Sequence, residues 1–412
     1  MSDYGLLGKT LVHSYSKELH EAFGMYSYEL FERSEQELPA FFAENWKGIN
    51  VTIPYKQSVL AYCNELAPKA ARIGSANTIV RTKDGKLVAH NTDYHGFARM
   101  AEEAGIEFGG KKVAILGSGG AAKTCKAVIE DFGGSARILS RCGKESYGDL
   151  GKFYDSEILV NATPVGTFPN VEEKPLDLRP FEKLQAVLDL TYNPATTALM
   201  FHAQNLGIKT AGGLLMLVWQ AARACELFTG CAPEPEIIRK ILRELELKKK
   251  NIFLVGMPGC GKSVVGKALA EKLGREFIDA DEACAKLYGK SPAEIIENRG
   301  EKAFRLFESS VLFELGKKQG VVTACGGGAC TVPENYESIK RNSVCVWVQR
   351  SLGELATDGR PLSTGRDLGQ LYIERRPGYA HFSDFEVYNR ASIEDCAEQI
   401  ISKLMAGEKQ WK

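Results

Sequence analysis

Short apolar, β-branched runs alternate with stretches of helical periodicity in two separate series along the chain. One series occupies residues 51–62, 113–140 and 157–161, and the other occupies residues 251–281 and 320–350. This alternation is typical of parallel α/β sheets, in which helices connect successive strands. The pattern therefore predicts two α/β parts.

A helical segment without a flexible spacer lies between the two series. Its apolar residues recur at helical spacing, namely Ile237, Ile238, Ile241, Leu242 and Leu245. Three lysines at 248–250 and the new strand Ile252–Val255 follow. Because the segment has no Gly-, Ser- or Pro-rich stretch, we expect a boundary near residue 247 at the end of a helix.

The amino-acid composition limits the kinds of molecule that the protein is expected to bind. The 412 residues carry 52 basic and 52 acidic side chains, so no net charge draws the chain to nucleic acid or to an anionic membrane. No run of about 18 uncharged apolar residues is present. The 11 cysteines are scattered without paired CxxC spacing, which favours reduced thiols. We expect a cytoplasmic protein that binds small molecules; nothing here indicates partner proteins.

A phosphate-binding motif follows the strand Ile252–Val255. The motif GxxxxGKS begins at Gly256 and stands between a strand and a helix, which is the context that a P-loop requires. Its lysine can reach a transferred phosphate and its serine can hold magnesium. The predicted ATP-binding residues of this motif are Gly256, Gly259, Cys260, Gly261, Lys262, Ser263 and Val264.

Two carboxylates follow at the end of a second strand. Asp279 and Asp281 are two residues apart, so strand alternation predicts that both face the same side. Asp279 would help Ser263 to hold magnesium, and Asp281 would accept the proton of an attacking hydroxyl.

Further motifs in the second half, taken in order, resemble the shikimate kinase family over nearly all of 251–405. They are Gly300–Glu308 as GExxFRxxE, Gly326–Gly328, Arg360–Leu362 as RPL, and Glu374–Tyr379 as ERxPxY. The resemblance implies the substrate-binding residues Asp281, Arg305, Gly326, Gly327, Gly328 and Arg375. It also implies that Arg360 closes on ATP, although the segment 357–366 is shorter and less basic than a typical family lid.

In the first half, a glycine-rich turn follows the strand Val113–Leu116. Gly117, Gly119, Gly120 and Ala121 belong to a GxGxxA turn that opens a helix, which indicates a dinucleotide site or an ordinary strand-to-helix turn. The next strand ends at Arg141, where an NAD enzyme would have an acidic residue. Arg141 therefore favours the extra phosphate of NADP, with Lys144 assisting.

Several short motifs of the first half together resemble the shikimate dehydrogenases over almost all of 1–235. They are residues 13–16 (HSYS), 50–56 (NVTIPYK), 76–78 (ANT), 91–93 (NTD), 161–164 (NATP), 189–194 (DLTYNP) and 212–220 (GGLLMLVWQ). The resemblance implies Lys56 as the proton donor and Asp93 as its partner. Its implied substrate ligands are Ser14, Ser16, Thr52, Asn77, Asp93, Tyr192 and Gln220. Asn161 and Gly213 are implied cofactor residues.

Three residues depart from the dehydrogenase pattern. Lys17 stands for a usual proline, Glu21 for a usual asparagine, and Cys142 for a usual threonine. The stretch from Ser16 to Asn50 is also shortened, which affects the substrate-binding part.

The resemblances imply an α/β fold in three domains. We expect a substrate-binding domain at 1–95, completed by a helix near 213–247, and a Rossmann-type NADP domain at 96–212. A P-loop domain of the nucleoside-monophosphate-kinase type would occupy 248–412.

Together the two resemblances imply a bifunctional enzyme. One half would reduce 3-dehydroshikimate to shikimate with NADPH, and the other would phosphorylate the shikimate 3-hydroxyl with ATP and Mg²⁺. Two alternatives stay open. The dehydrogenase could prefer quinate or NAD, or one half could be a silent scaffold, although a scaffold needs neither Lys56 and Asp93 nor Lys262 and Asp281.

Overall fold

The computed structural model describes residues 3–11, 14–141, 145–355, 367–390 and 392–407. The chain divides into two compact units, Met1–Glu244 and Leu245–Lys412. Each unit is built around its own sheets and apolar clusters.

The first lobe of the N-terminal unit is a mixed six-stranded sheet in the order β2-β1-β3-β5-β6-β4. Strands β3, β5 and β6 pair antiparallel, while β1 pairs parallel with β2 and β3. Its core includes Phe41, Trp46 and Ile49, all at most 1% exposed. The elements are β1 (Tyr4–Gly8), α1 (Ser16–Ala22), β2 (Glu29–Glu32), α2 (Leu38–Ala43), β3 (Gly48–Val51), β4 (Glu65–Leu66), α3 (Pro68–Ile73), β5 (Thr78–Arg81) and β6 (Leu87–His90).

The second lobe is a five-stranded parallel sheet in the order β11-β10-β9-β7-β8. Strand β9 is buried along its whole length, as expected for a parallel strand covered on both faces. The elements are α4 (Thr92–Glu103), β7 (Lys112–Leu116), α5 (Gly120–Asp131), β8 (Ser135–Leu139), β9 (Ile158–Asn161), β10 (Ala186–Asp189), α6 (Ala198–Asn205) and β11 (Lys209–Gly212).

Two helices, not one, follow the second sheet. Helix α7 (Gly213–Thr229) ends at Gly230, whose φ of 79° is left-handed, and α8 (Pro235–Lys249) begins at a proline. A left-handed glycine terminates a helix and proline favours the first turn of the next. The prediction of a single helix over 213–247 is therefore wrong. Helix α8 contains the division between the units at Glu244.

The C-terminal unit is a five-stranded parallel sheet in the order β13-β14-β12-β15-β16. The strand that leads into the P-loop is thus central and completely buried. The elements are β12 (Asn251–Val255), α9 (Lys262–Leu273), β13 (Phe277–Asp279), α10 (Ala280–Tyr288), α11 (Pro292–Lys317), β14 (Val322–Ala324), α12 (Asn335–Lys340), β15 (Ser343–Gln349), α13 (Leu368–Phe382), β16 (Phe385–Tyr388) and α14 (Ile393–Ala406).

Within the described part of the chain, no helix combines the length and the apolar character that crossing a membrane requires.

Candidate active sites

Lys56 and Asp93 form an ion pair at the edge of the first lobe. The Lys56 Nζ lies 2.7 Å from the Asp93 Oδ2, and their side chains are 29% and 12% exposed. Lys56 follows β3, while Asp93 stands in the first turn of α4. Two segments far apart in sequence thus bring together an ammonium and a carboxylate that a small ligand can still reach.

Asn77 holds the second oxygen of Asp93. Its Nδ2 donates to the Asp93 Oδ1 at 2.9 Å, and its Oδ1 accepts the backbone N–H of Thr92 at 2.6 Å. The same Nδ2 lies 3.3 Å from the Gln220 Oε1 on α7. The structure therefore brings together four of the residues predicted for the dehydrogenase site: Lys56, Asn77, Asp93 and Gln220.

The motifs gave no role to a buried network behind Asn77. Asn50 accepts the hydroxyl of Tyr28 at 2.7 Å and donates to the Thr78 Oγ1 at 3.0 Å. The Thr78 hydroxyl is 3.0 Å from that of Thr92. Asn50 and both threonines are buried, so this network fixes the backbone that carries Asn77.

The remaining predicted substrate ligands lie between β1 and the start of α1, directly after β3, and in the loop after β10. The Ser14 Oγ accepts the backbone N–H of Ser16 at 3.1 Å, and Thr52 directly follows β3. The Tyr192 ring meets the ring of Tyr15 edge-on at 5.5 Å, which joins the serine segment to the second lobe. Burial raises the pKa of Tyr192, so its hydroxyl stays protonated.

The turn after β7 has the shape that a dinucleotide requires. Gly117 has a φ of 105°, and a Cβ there would lie 2.9 Å from the carbonyl oxygen of Ala162. A Cβ at Gly119 or Gly120 would meet no atom within 4 Å, so space is open above the first turn of α5. Helix α5 starts at Gly120 and continues with Ala121, and among the described residues no side chain caps its first backbone amides. Open space, uncapped amides and the positive end of the helix fit a pyrophosphate.

The structure gives Gly213 and Asn161, two predicted cofactor residues, clear structural roles. A Cβ at Gly213 would lie 2.0 Å from the carbonyl oxygen of Leu190, so only glycine lets α7 start there. The Asn161 side chain is completely buried and donates to the Asp189 Oδ1 at 3.0 Å. The side chain of Asn161 therefore ties β9 to β10, and only its backbone is left as a predicted cofactor contact.

Arg141 stands exposed just beyond β8, in the position predicted to bind the 2′-phosphate of NADP. A guanidinium there fits a phosphate by charge and by its planar set of donors. Lys144 and Cys142 lie outside the described residues.

The P-loop of the C-terminal unit is held by three left-handed glycines: Gly256, Gly259 and Gly261, with φ of 143°, 84° and 100°. The Lys262 Nζ is buried and donates to the carbonyl oxygens of Gly256 and Met257 at 2.9 and 3.0 Å. Cys260 is completely buried, whereas Val264 is 48% exposed on α9. The Lys262 ammonium is thus hydrogen-bonded to loop carbonyl groups, and a phosphate of the nucleotide can take their place.

Ser263 and Asp279 meet where magnesium was predicted. The Ser263 hydroxyl donates to the Asp279 Oδ2 at 2.6 Å. Hydroxyl and carboxylate oxygens are hard ligands of the kind that Mg²⁺ takes, with water and phosphate completing its shell. The two residues fit a magnesium ion that arrives with a nucleotide.

Asp281 does not belong to a strand. Asp279 ends β13 and caps α10, and its Oδ1 accepts the backbone N–H of Asp281 at 3.0 Å. The prediction that strand alternation turns both carboxylates to one side is therefore wrong, because a helix begins between them. Both still line one cavity of about 560 Å³ next to Lys262 and Ser263.

Arg305 is held by two acidic residues on its own helix, α11. Its two terminal nitrogens donate to Glu308 at 2.7 Å and Glu301 at 2.9 Å. Glu308 is 2% exposed, and burial raises the pKa of its carboxyl. Sequence reasoning gave Glu308 no role, although it is the last residue of the GExxFRxxE motif.

The three glycines after β14 provide the space that this arrangement needs. A Cβ on Gly326 would lie 2.2 Å from the Glu308 Oε1, and a Cβ on Gly328 would lie 2.1 Å from an Arg305 nitrogen. A Cβ on Gly327 would lie 2.6 Å from Pro258 of the P-loop. Each glycine therefore permits a close approach of a different part of the site.

Arg375 brings a second guanidinium to the same cavity from α13 and is 5% exposed. One turn later, the Tyr379 hydroxyl donates to the carbonyl oxygen of Gly327, which fixes α13 against the glycine turn. Arg360 lies outside the described residues.

The folds and sites define a chain of two enzyme classes, a dinucleotide-dependent oxidoreductase followed by a P-loop phosphotransferase. Comparison with known families identifies the family for each of the two enzyme classes. The shikimate dehydrogenase substrate-binding domain matches residues 6–79, the shikimate 5′-dehydrogenase C-terminal domain matches 213–243, and shikimate kinase matches 258–405. The NADP(+)-dependent shikimate dehydrogenase of Clostridium perfringens (strain SM101 / Type A) is 32% identical over 271 residues, covering 60% of this chain and all of that protein.

Solved structures agree with this assignment. A chorismate mutase/shikimate 5-dehydrogenase fusion protein from Clostridium acetobutylicum is 31% identical, with a TM-score of 0.56 over 59% of this chain and 96% of that one. Shikimate 5-dehydrogenase from Thermus thermophilus, in complex with NADP(H) and shikimate, is 30% identical, with a TM-score of 0.54 over 60% of this chain and all of that one.

The chain therefore belongs to the shikimate dehydrogenase family and carries a shikimate kinase domain after it. The two family resemblances and the α/β fold class expected from the sequence are confirmed.

Proposed function

We propose that this chain catalyses two reactions on one carbon skeleton. The N-terminal unit reduces 3-dehydroshikimate to shikimate with NADPH, and the C-terminal unit transfers the γ-phosphoryl group of ATP to the shikimate 3-hydroxyl. The observation that carries this proposal is that each unit brings together the side chains that its reaction needs: Lys56 with Asp93 in the first, and Ser263 with Asp279 in the second.

Lys56 is the proton donor of the reduction. NADPH, when bound at the turn of Gly117–Ala121 and at Arg141, supplies the hydride. Negative charge then develops on the substrate oxygen, which the Lys56 ammonium neutralises and protonates. Asp93 orients the ammonium, and Asn77 keeps the Asp93 Oδ1 occupied so that Oδ2 faces Lys56.

The other predicted ligands bind the ring substituents of the same substrate. Ser14, Ser16 and Thr52 carry hydroxyls that suit a carboxylate or a ring hydroxyl, and Gln220 offers an amide beside Asn77.

Asp281 is the general base of the phosphoryl transfer. It lines the same cavity as Lys262, so a substrate hydroxyl between them can lose its proton to the carboxylate. The Lys262 ammonium would leave its loop carbonyls to bind the transferred phosphate, and Ser263 with Asp279 would hold the magnesium ion that neutralises the charge on the phosphates. Arg305 and Arg375 bind the substrate carboxylate through their guanidinium forks.

We place both reactions in the cytoplasm. Ten cysteines of the described residues are free thiols and eight of them are buried, which suits a reducing compartment.

A coupled assay tests the proposed function. The chain is given 3-dehydroshikimate, NADPH and ATP, and NADPH absorbance is followed together with ADP release. Lys56→Ala should lower reduction by about 100-fold or more while phosphorylation of added shikimate continues. Lys262→Ala should abolish phosphorylation while reduction continues.

Two results would contradict the proposal. Higher kcat/KM for quinate or for NADH would favour the alternative dehydrogenase. Absence of one activity from the unmodified chain would favour a scaffold role for that unit.

A further inference from the structure

Four cationic side chains line the cavity of the C-terminal unit: Lys262, Arg305, Arg350 and Arg375. The proposed reaction uses three of them. Lys262 serves the transferred phosphate, and Arg305 and Arg375 serve the substrate carboxylate. Arg350 has no role in that scheme, although it reaches the same space.

Arg350 lies beside the P-loop because its strand pairs with the P-loop strand. Strands β12 and β15 run parallel, with Val255 opposite Trp347. A Cβ on Gly256 would lie 2.3 Å from the carbonyl oxygen of Val348, so the two chains touch where the P-loop begins. Arg350 follows two residues later.

The strand order separates Arg350 from Asp281 and the three glycines, four of the residues proposed to bind shikimate. Asp281 follows β13 and the three glycines follow β14, and both strands lie on one side of β12. Arg350 follows β15, on the other side of β12. Ligands in parallel sheets bind at the carboxyl ends of the strands, and at that edge Arg350 and Asp281 follow strands on opposite sides of the P-loop strand.

The chain directly after strand β16, the neighbour of β15, also contacts the P-loop. Strand β16 pairs with β15, and the backbone N–H of Asn389 donates to the carbonyl oxygen of Gln349 at 2.9 Å. The Asn389 Nδ2 donates to the carbonyl oxygen of Cys260 at 3.0 Å. Arg350 therefore lines the cavity together with the P-loop glycines Gly259 and Gly261, close to the backbone that would hold the phosphates of a nucleotide.

The guanidinium of Arg350 is only weakly held. Its Nε lies 3.8 Å from the Glu354 Oε2, and the two side chains are 39% and 56% exposed. An ion pair of that length and exposure constrains a side chain little. A planar guanidinium in this place can stack on a purine or bond to an inner phosphate.

We infer that Arg350 binds the nucleotide, outside its transferred phosphate, and determines the affinity of this kinase unit for ATP. This inference rests on the proposed kinase function. Arg350 takes no part in the chemical step, since Lys262 and the magnesium ligands already serve the transferred group.

The test compares Arg350→Gln with the unmodified chain. The KM for ATP should rise about 10-fold, the scale expected for loss of one contact with a charged donor. The kcat and the KM for shikimate should stay within about twofold, because the lost contact is equal in the ground and transition states. Arg376→Gln is the matched control, since Arg376 is an exposed arginine of the same unit that does not line the cavity.

Calorimetric titration with ADP supplies a readout that needs no turnover. Its Kd should rise about 10-fold in Arg350→Gln and stay unchanged in Arg376→Gln. An unchanged ATP KM and ADP Kd, or a rise in the shikimate KM alone, would overturn the inference. If the unmodified chain binds ADP but does not phosphorylate shikimate, the proposed function fails, whereas the role of Arg350 is still decided by the ADP Kd.

Discussion

Gly96 controls how closely α4 approaches α7, and replacing it should disable the dehydrogenase selectively. Asp93 and Gly96 share α4, and Gln220 stands on α7. A Cβ at Gly96 would lie 2.5 Å from the backbone oxygen of Met216 and 2.9 Å from the Gln220 Cβ. The backbone oxygen cannot rotate away, so Gly96→Ala must move one helix against the other.

The displacement follows from these distances. Ordinary carbon–oxygen contact requires roughly 3.4 Å, so the helices must part by about 1 Å at this point. Alanine gains about 1 kcal/mol of helix propensity over glycine, while overpacking costs about 1–3 kcal/mol. The unit should therefore fold with a modest loss of stability. A shift of about 1 Å between Asp93 and Gln220 should lower kcat/KM for 3-dehydroshikimate by about 10- to 100-fold.

The assay measures NADPH oxidation, with phosphorylation of added shikimate as an internal control in the same chain. Gly151→Ala is the matched variant, because its Cβ would meet only the Tyr154 ring, at 3.9 Å. Reduction in Gly96→Ala within twofold of the unmodified chain, with normal folding, would refute the reasoning that this close approach positions Gln220.

Three further predictions concern the cofactors and pH. Arg141→Asp should reverse the coenzyme preference toward NADH, because a carboxylate repels the 2′-phosphate; an unchanged ratio of kcat/KM values would place that phosphate elsewhere. Asp279→Asn should raise the Mg²⁺ concentration for half-maximal kinase activity about 10-fold, measured by Mg²⁺ titration at saturating ATP, and no rise would exclude Asp279 from the magnesium site. Burial lowers the pKa of His20 to about 3, whereas in the unfolded chain it is about 6.5. Between these two pH values only the unfolded chain binds the proton, so the free energy of unfolding falls as the pH falls, by about 1.4 kcal/mol per pH unit. Denaturant unfolding of His20→Phe between pH 6 and 5 should show a shallower slope, and an unchanged slope would contradict this.

Local motifs were predictable from the sequence because their geometry is local. The P-loop needs only a strand, left-handed glycines and a helix start, all within Ile252–Ser263, and the structure has each of them. The GxGxxA turn before α5 likewise consists of a strand end, a left-handed glycine and a helix start that are adjacent in sequence. In both places the residue type and the backbone conformation are dictated by neighbours in the chain.

Contacts between distant segments could not be predicted in this way. Asn50, Thr78 and Thr92 join through hydroxyl and amide hydrogen bonds that require the paired strands β3, β5 and β6 and the start of α4. Arg350 lines its cavity only because β15 pairs with β12. The prediction for Asp281 was wrong for another reason. The Asp279 carboxylate caps a helix, which ends the strand, and the alternation of side chains applies only within a strand.

The two departures from the dehydrogenase pattern in α1, Lys17 and Glu21, form an ion pair with each other. Lys17 and Glu21 are one helical turn apart, and the Lys17 Nζ lies 2.7 Å from the Glu21 Oε1. An exposed pair of this kind adds little stability by itself. The same ammonium also donates to the carbonyl oxygen of Tyr28 at 2.6 Å, and the Tyr28 hydroxyl holds Asn50 in the buried network. Since Ser16 begins α1, Lys17 ties the start of this helix, which carries a predicted substrate ligand, to the network behind Asn77.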